Sequence, residues 1–148
     1  MKILGIDPGL ENTGWAVIEK KGDDFGMGEG GVIKTNKKEE SPKRLETIYE
    51  QMGEVIGRLG IKTAGMETLF FAKNAKSAIK VAEAIGVIKL ACKKSRVKLV
   101  ELTPLQIKMA LTGYGRAEKY QVEEMTRNIL RVEGRIEPSH AADAAAAA

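Results

Sequence analysis

The chain has 148 residues, 43% of them hydrophobic and 30% charged, which is enough apolar content for one ordinary core and predicts a single domain over residues 1–148. Lysine and arginine outnumber the acids 24 to 20, a formal +4 that suits a polyanionic partner without identifying one. Cys92 is the only cysteine, which excludes an internal disulfide and disfavours a thiolate zinc site; with no signal segment before the first strand and no bilayer-length apolar run, the expected location is cytoplasmic, with no membrane partner.

Ile3, Leu4 and Ile6 read as a short buried strand that carries the carboxylate of Asp7, and Pro8-Gly9 stops the strand directly after it. A charge in that setting is costly unless it is paired or holds a cation, although capping a turn is the competing role. Thr13 to Ile18 resumes strand character around Gly14 and predicts an antiparallel hairpin. A polar turn at residues 20–24 leads to a third strand from Phe25 to Thr35. Ser41 as cap and Pro42 at the first helical position open a helix whose core stripe is Leu45, Ile48, Met52, Val55, Ile56 and Leu59, and Gly60 ends it.

Ile61 to Phe71 reads as a fourth strand with a second carboxylate, Glu67, in its apolar run. Asn74 is the predicted cap of a helix reaching about Lys94, with Val81, Ile85, Ile88 and Cys92 on its core stripe and small Ala82 and Gly86 beside it. Val97 to Leu102 is a fifth strand, and Thr103-Pro104 starts a helix over Leu105 to Leu111. After the break at Thr112-Gly113-Tyr114-Gly115, helices follow over Lys119 to Leu130 and His140 to Ala148. The last is mostly alanine, strongly helix-forming but with little apolar bulk to hold it to a core, so that the end reads as cut short. Strands and helices in this order define an α/β protein.

His140 and Asp143 are three residues apart and share one helix face. Singly, His140 reads as a solvated residue at a helix start and Asp143 as a first-turn acid favoured by the helix dipole. Together with Asp7 and Glu67 they form a set of three carboxylates and an imidazole drawn from three separated segments, two of its members in strands where an unpaired charge lacks a structural reason. Such oxygen-rich donors favour Mg²⁺, with Mn²⁺ as a substitute, one or two ions per subunit. Two ions roughly 4 Å apart can activate water and stabilise the leaving oxygen in phosphodiester hydrolysis.

Several segments in order carry a resemblance: Gly5-Ile6-Asp7-Pro8-Gly9 with Thr13-Gly14, Glu67 followed by Phe70-Phe71-Ala72-Lys73-Asn74-Ala75, Ala84-Ile85-Gly86-Val87, Gly113-Tyr114-Gly115-Arg116-Ala117-Glu118-Lys119, and His140-Ala141-Ala142-Asp143-Ala144. The chain resembles the RuvC family of Holliday-junction resolvases, within the ribonuclease H-like superfamily. The resemblance implies a mixed five-stranded sheet, strands 1–3 antiparallel and strands 4 and 5 parallel to the first, with helices on both faces. It further implies that Asp7, Glu67, His140 and Asp143 are the metal-binding catalytic positions of an endodeoxyribonuclease that resolves four-way DNA junctions in recombination and repair. The third position is Asp in some members of the family and His in others. An essential neutral imidazole there implies activity that falls below about pH 6.5, the unperturbed histidine value.

Lys73, Lys76, Lys108, Arg116 and Lys119 adjoin these acids in sequence and are candidates for phosphate contacts, with a solvated helix face as the alternative. Lys108 and Lys119 match basic positions that the family uses near the scissile phosphate. Phe70 is the candidate for stacking on an unpaired base, Phe71 for packing, and Tyr114 a lesser DNA contact. The resemblance also implies a homodimer, which would present two identical sites to a pseudo-twofold junction, and a partnership with a branch-migration helicase complex. Ala78, Ala82 and Gly86 permit close approach of a second helix, or of a neighbour inside the subunit. A non-cutting junction-binding module and a ribonuclease H-like enzyme acting on RNA are the rival readings. An actin-like phosphotransferase needs paired domains for which this chain is too short.

Overall fold

The structure is a computed structural model that describes residues 1–68 and 75–148, with residues 75 and 76 described by backbone alone. Five strands, β1 (Lys2–Asp7), β2 (Asn12–Lys21), β3 (Asp24–Lys34), β4 (Thr63–Glu67) and β5 (Lys98–Leu102), form one sheet in the order β3-β2-β1-β4-β5. β1 runs antiparallel to β2 and parallel to β4, β2 antiparallel to β3, and β4 parallel to β5. This is the mixed sheet expected. The helices are α1 (Ser41–Leu59), α2 (Ala75–Lys94), α3 (Pro104–Thr112), α4 (Lys119–Leu130) and α5 (Ser139–Ala147).

Alternation along β1 divides the molecule into two layers. Leu4 and Ile6 on β1, with Ala64 and Met66 on β4, point to the face covered by α1 and α2, where they meet Ile48, Met52, Ile85, Ile88 and Cys92 in the main core. The predicted stripes of both helices therefore face this core, with Leu45, Leu59 and Val81 partly buried against it and the rest of the two stripes buried. Cys92 lies within this core, and burial pushes its thiol up to about 11, so it is an inert packing residue. Ala16 and Ile18 of β2 face the opposite layer, with Leu130 of α4 and Ala144 and Ala145 of α5. Helices thus cover both faces.

Helix ends follow local chemistry. Thr103 caps α3 in a capping box with Gln106, and Gly60 and Gly113 close α1 and α3 in left-handed conformations that cost glycine little. Ser41 is not the cap of α1. It is the first helical residue, Glu40 precedes the helix without a side-chain cap bond, and the Ser41 hydroxyl donates instead to Glu83 of α2 at 3.3 Å. β4 is shorter than the predicted fourth strand, ending at Glu67, after which the Thr68 N–H donates to the Leu102 carbonyl at 2.8 Å. Phe70, Phe71, Lys73, the Asn74 cap and the side chain of Lys76 lie outside the described residues.

α5 is held without bulk. A Cβ built on Gly5 would collide with the Ala144 carbonyl oxygen, one on Gly14 with that of His140, and one on Gly65 with that of Ala147. Three glycines of three adjacent strands therefore make a floor on which the helix backbone rests directly, and Ala141, Ala144, Ala145 and Ala147 are buried against it. The expected deficit of apolar bulk is met by proximity: small faces on both sides bring many atom pairs into dispersion range.

Candidate active site

Asp7 is the last residue of β1, paired across β2 with Gly14, and it faces the α5 side of the sheet. Because α5 rests on Gly14 through the His140 carbonyl, its first turn lies over the end of β1. His140 Nδ1 is 2.9 Å from Asp7 Oδ2, and since an ionised carboxylate only accepts, the imidazole donates. Asp143, one turn further on, completes a cluster in which one ligand atom each from Asp7, His140 and Asp143 lies within 4.8 Å of the others. Two residues from a helix and one from a strand, 133 positions apart in sequence between Asp7 and His140, have been brought into one place.

Glu67 ends β4, the strand beside β1, and lines with Asp143, Lys108 and Lys119 a cleft of about 270 Å³ whose apolar wall is Pro104, Ile107 and Val122. It is outside the tight three-residue cluster but inside its electric field. Burial raises the Glu67 pKa, and the charges of Asp7 and Asp143 raise it further, against smaller opposing effects of Lys119 and Lys108. Asp7 is raised chiefly by its own burial; the His140 hydrogen bond works the other way and Asp143 adds repulsion. Partly buried carboxylates that repel one another are an electrostatic demand for a cation. The donor set of carboxylate oxygens and an imidazole nitrogen fits a divalent ion of the Mg²⁺ or Mn²⁺ type.

The predicted basic residues separate into groups. Lys108 on α3 and Lys119 at the start of α4 line the cleft. Lys119 Nζ donates to Asp143 Oδ2 at 2.9 Å, a bond that raises the lysine pKa and keeps its charge. Arg116 is exposed in the turn before α4 and does not line the cleft, and Tyr114 is exposed in the same turn. Sequence reading missed the glycine floor at Gly5 and Gly65, although glycines inside strand patterns are a known sign of close backbone approach. It also missed the Lys119–Asp143 pair, which joins segments 24 residues apart and has no local signature.

A five-stranded mixed sheet with an acid at the end of its central strand and a His/Asp helix laid across that end defines the ribonuclease H-like class of fold and site. The family model described as crossover junction endodeoxyribonuclease RuvC matches residues 3–148. A crossover junction endodeoxyribonuclease RuvC of Petrotoga mobilis is 47% identical over 148 residues, covering 100% of this chain and 91% of the relative. Thermus thermophilus RuvC superposes with a TM-score of 0.91 at 35% identity, covering 99% of this chain and 90% of that one. T. thermophilus RuvC in complex with a Holliday junction substrate gives 0.93 at 34% identity with the same coverage. The chain belongs to the RuvC family.

Proposed function

We propose that this chain is a divalent-metal-dependent endodeoxyribonuclease that resolves four-way DNA junctions by hydrolysing one phosphodiester in each of two opposed strands. The observation that carries this reading is the meeting of Asp7, His140 and Asp143 within 4.8 Å in a chain matched by the RuvC model over residues 3–148. Asp7, His140 and Asp143 would hold the ion, with Glu67 as the fourth ligand from the neighbouring strand. Bound Mg²⁺, for which Mn²⁺ would substitute, supplies Lewis acidity and a water of lowered pKa. Ile107 and Val122 line the cleft beside Lys108 and Lys119, which offer two cations to hold the substrate phosphate in position. Phe70 is assigned to an unpaired base at the branch point, and Lys73, Lys76 and Arg116 to backbone phosphates.

Two cuts require two sites, and a homodimer supplies them. Ile79, Ala82, Gly86 and Leu90 form an exposed stripe on α2, opposite its core face, with Ile79 61% and Leu90 50% exposed and open space beside Gly86. A second copy of that stripe is the partner we assign to it. Residues 1–148 would act as one nuclease domain in the cytoplasm, working with a branch-migration helicase complex. No helix among the described residues is long and apolar enough to cross a membrane.

The test is cleavage of an end-labelled four-way junction with Mg²⁺, beside a linear duplex of the same sequence and the Asp7→Asn variant. Paired cuts in the junction alone, with Asp7→Asn binding the junction but leaving it intact, are the expected results. Binding by the unaltered chain without any Mg²⁺-dependent cut would favour the non-cutting module instead.

A further inference from the structure

We infer that Arg44 and Thr35 form a buried relay that positions the metal-binding end of β1 from the far side of the β1–β2 turn. Arg44 is a charged residue only 8% exposed, which has to be explained by what it touches. Its Nε donates to Thr35 Oγ1 at 2.8 Å, and the same hydroxyl donates to the Leu10 carbonyl at 2.6 Å. The Thr35 N–H donates to the Glu11 carbonyl at 3.0 Å, and the Thr13 hydroxyl donates to the Gly9 carbonyl at 2.7 Å. Three consecutive carbonyls of the turn that follows Asp7 are thus tied, two of them to Thr35, and Arg44 fixes which way the Thr35 hydroxyl points. Gly9 allows the turn to close this tightly, because a Cβ there would strike the Asn12 carbonyl oxygen.

The relay touches neither the cleft nor any of the four acid and imidazole groups, so its role is positioning. Asp7 is one residue before this turn and its side chain faces α5, whereas Arg44 reaches the turn from α1. If the turn loosens, the Asp7 carboxylate is no longer held against His140, and the ion-binding cluster loses definition while the core persists. Outer partners of metal ligands commonly change metal affinity by about 10–100-fold when removed. Acting through backbone, this relay is expected at the lower end.

The inference rests on the metal-dependent reading, and its test is chosen to be separable from it. Mn²⁺ binding, followed by electron paramagnetic resonance, reads the relay whether or not the chain cuts DNA. Thr35→Val keeps the shape and removes the hydroxyl; it is expected to weaken Mn²⁺ binding about tenfold and to lower kcat on a four-way junction by a similar factor with KM unchanged. Thr35→Ser, which keeps the hydroxyl, is expected to retain both at the level of the unaltered chain, and Arg44→Lys to show the same losses as Thr35→Val, since an ammonium does not reproduce the directed Nε donor. Circular dichroism of each variant at the assay temperature establishes that it is folded. Folded Thr35→Val with unaltered Mn²⁺ affinity overturns the proposal, as does an equal loss in Thr35→Ser.

Discussion

Burial holds both Asp7 and Glu67 above their ordinary carboxylate pKa values; the charge of Asp143 raises both further and that of Asp7 adds to Glu67, while the His140 hydrogen bond opposes the shift at Asp7. A carboxyl whose pKa rises on folding makes the native state the tighter proton binder. Its contribution to stability is therefore fully present below the unfolded value and is lost as the pH rises through the folded one. At neutral pH in metal-free buffer these acids work against the fold. Glu67→Gln is accordingly expected to raise the melting temperature at pH 7 by roughly 2–4 °C, a gain that disappears in acid, while it lowers Mg²⁺-dependent cleavage by at least about a hundredfold; thermal melts across pH and a cleavage assay check the two halves. Lys119 offers a different measurement. It is paired with Asp143 and stands at the cleft wall, so Lys119→Met is expected to reduce the slope of log binding constant against log salt by about one for junction DNA, read by titrations at several salt concentrations.

At the level of elements, α5 and its glycine floor decide whether the site exists. The helix brings His140 and Asp143 to Asp7 only because its backbone lies on Gly5, Gly14 and Gly65. Gly5→Ala places a methyl where the Ala144 carbonyl oxygen stands, and neither backbone can yield without moving the helix. It is expected to cost about 2–3 kcal/mol in denaturant unfolding and to abolish Mn²⁺ binding even at temperatures where the variant is folded. Gly86 is the contrasting case, since a Cβ there meets nothing within the subunit. Gly86→Ala should leave unfolding of the isolated subunit unchanged or slightly improved, because alanine is the better helix residue by about 1 kcal/mol, and a loss of paired cleavage without a loss of subunit stability is the outcome expected if a second copy docks on this face.

For the whole molecule, the layers have separate tasks. The α1 and α2 layer carries the large-residue core and leaves the outer face of α2 exposed, whereas on the opposite face α5, resting on glycines, brings the candidate ligands His140 and Asp143 to the end of β1. Leu90→Glu, on the exposed stripe of α2, tests whether assembly runs through that face. The expected outcome is a monomer by light scattering, with a junction nicked in one strand in place of paired cuts, and with Mn²⁺ affinity per subunit unaltered.

Sequence alone determined the elements and nominated the chemistry. Periodicity set out the α1 and α2 stripes, Thr103-Pro104 announced α3, and Asp7 and Glu67 were conspicuous because a charge in an apolar strand lacks a local reason. Arg44 was legible in principle: it falls four residues before Ile48, on the core register of α1, where a charge is out of place. What only the tertiary structure decided is which of these groups meet. His140 and Asp7 touch across 133 residues, Lys119 reaches Asp143 from another helix, and Glu67 stands one strand aside from the tight cluster. Those outcomes depend on how closely a helix backbone approaches a sheet, and that distance is set by the side chains absent from three glycines on separate strands, a condition that no single segment of sequence contains.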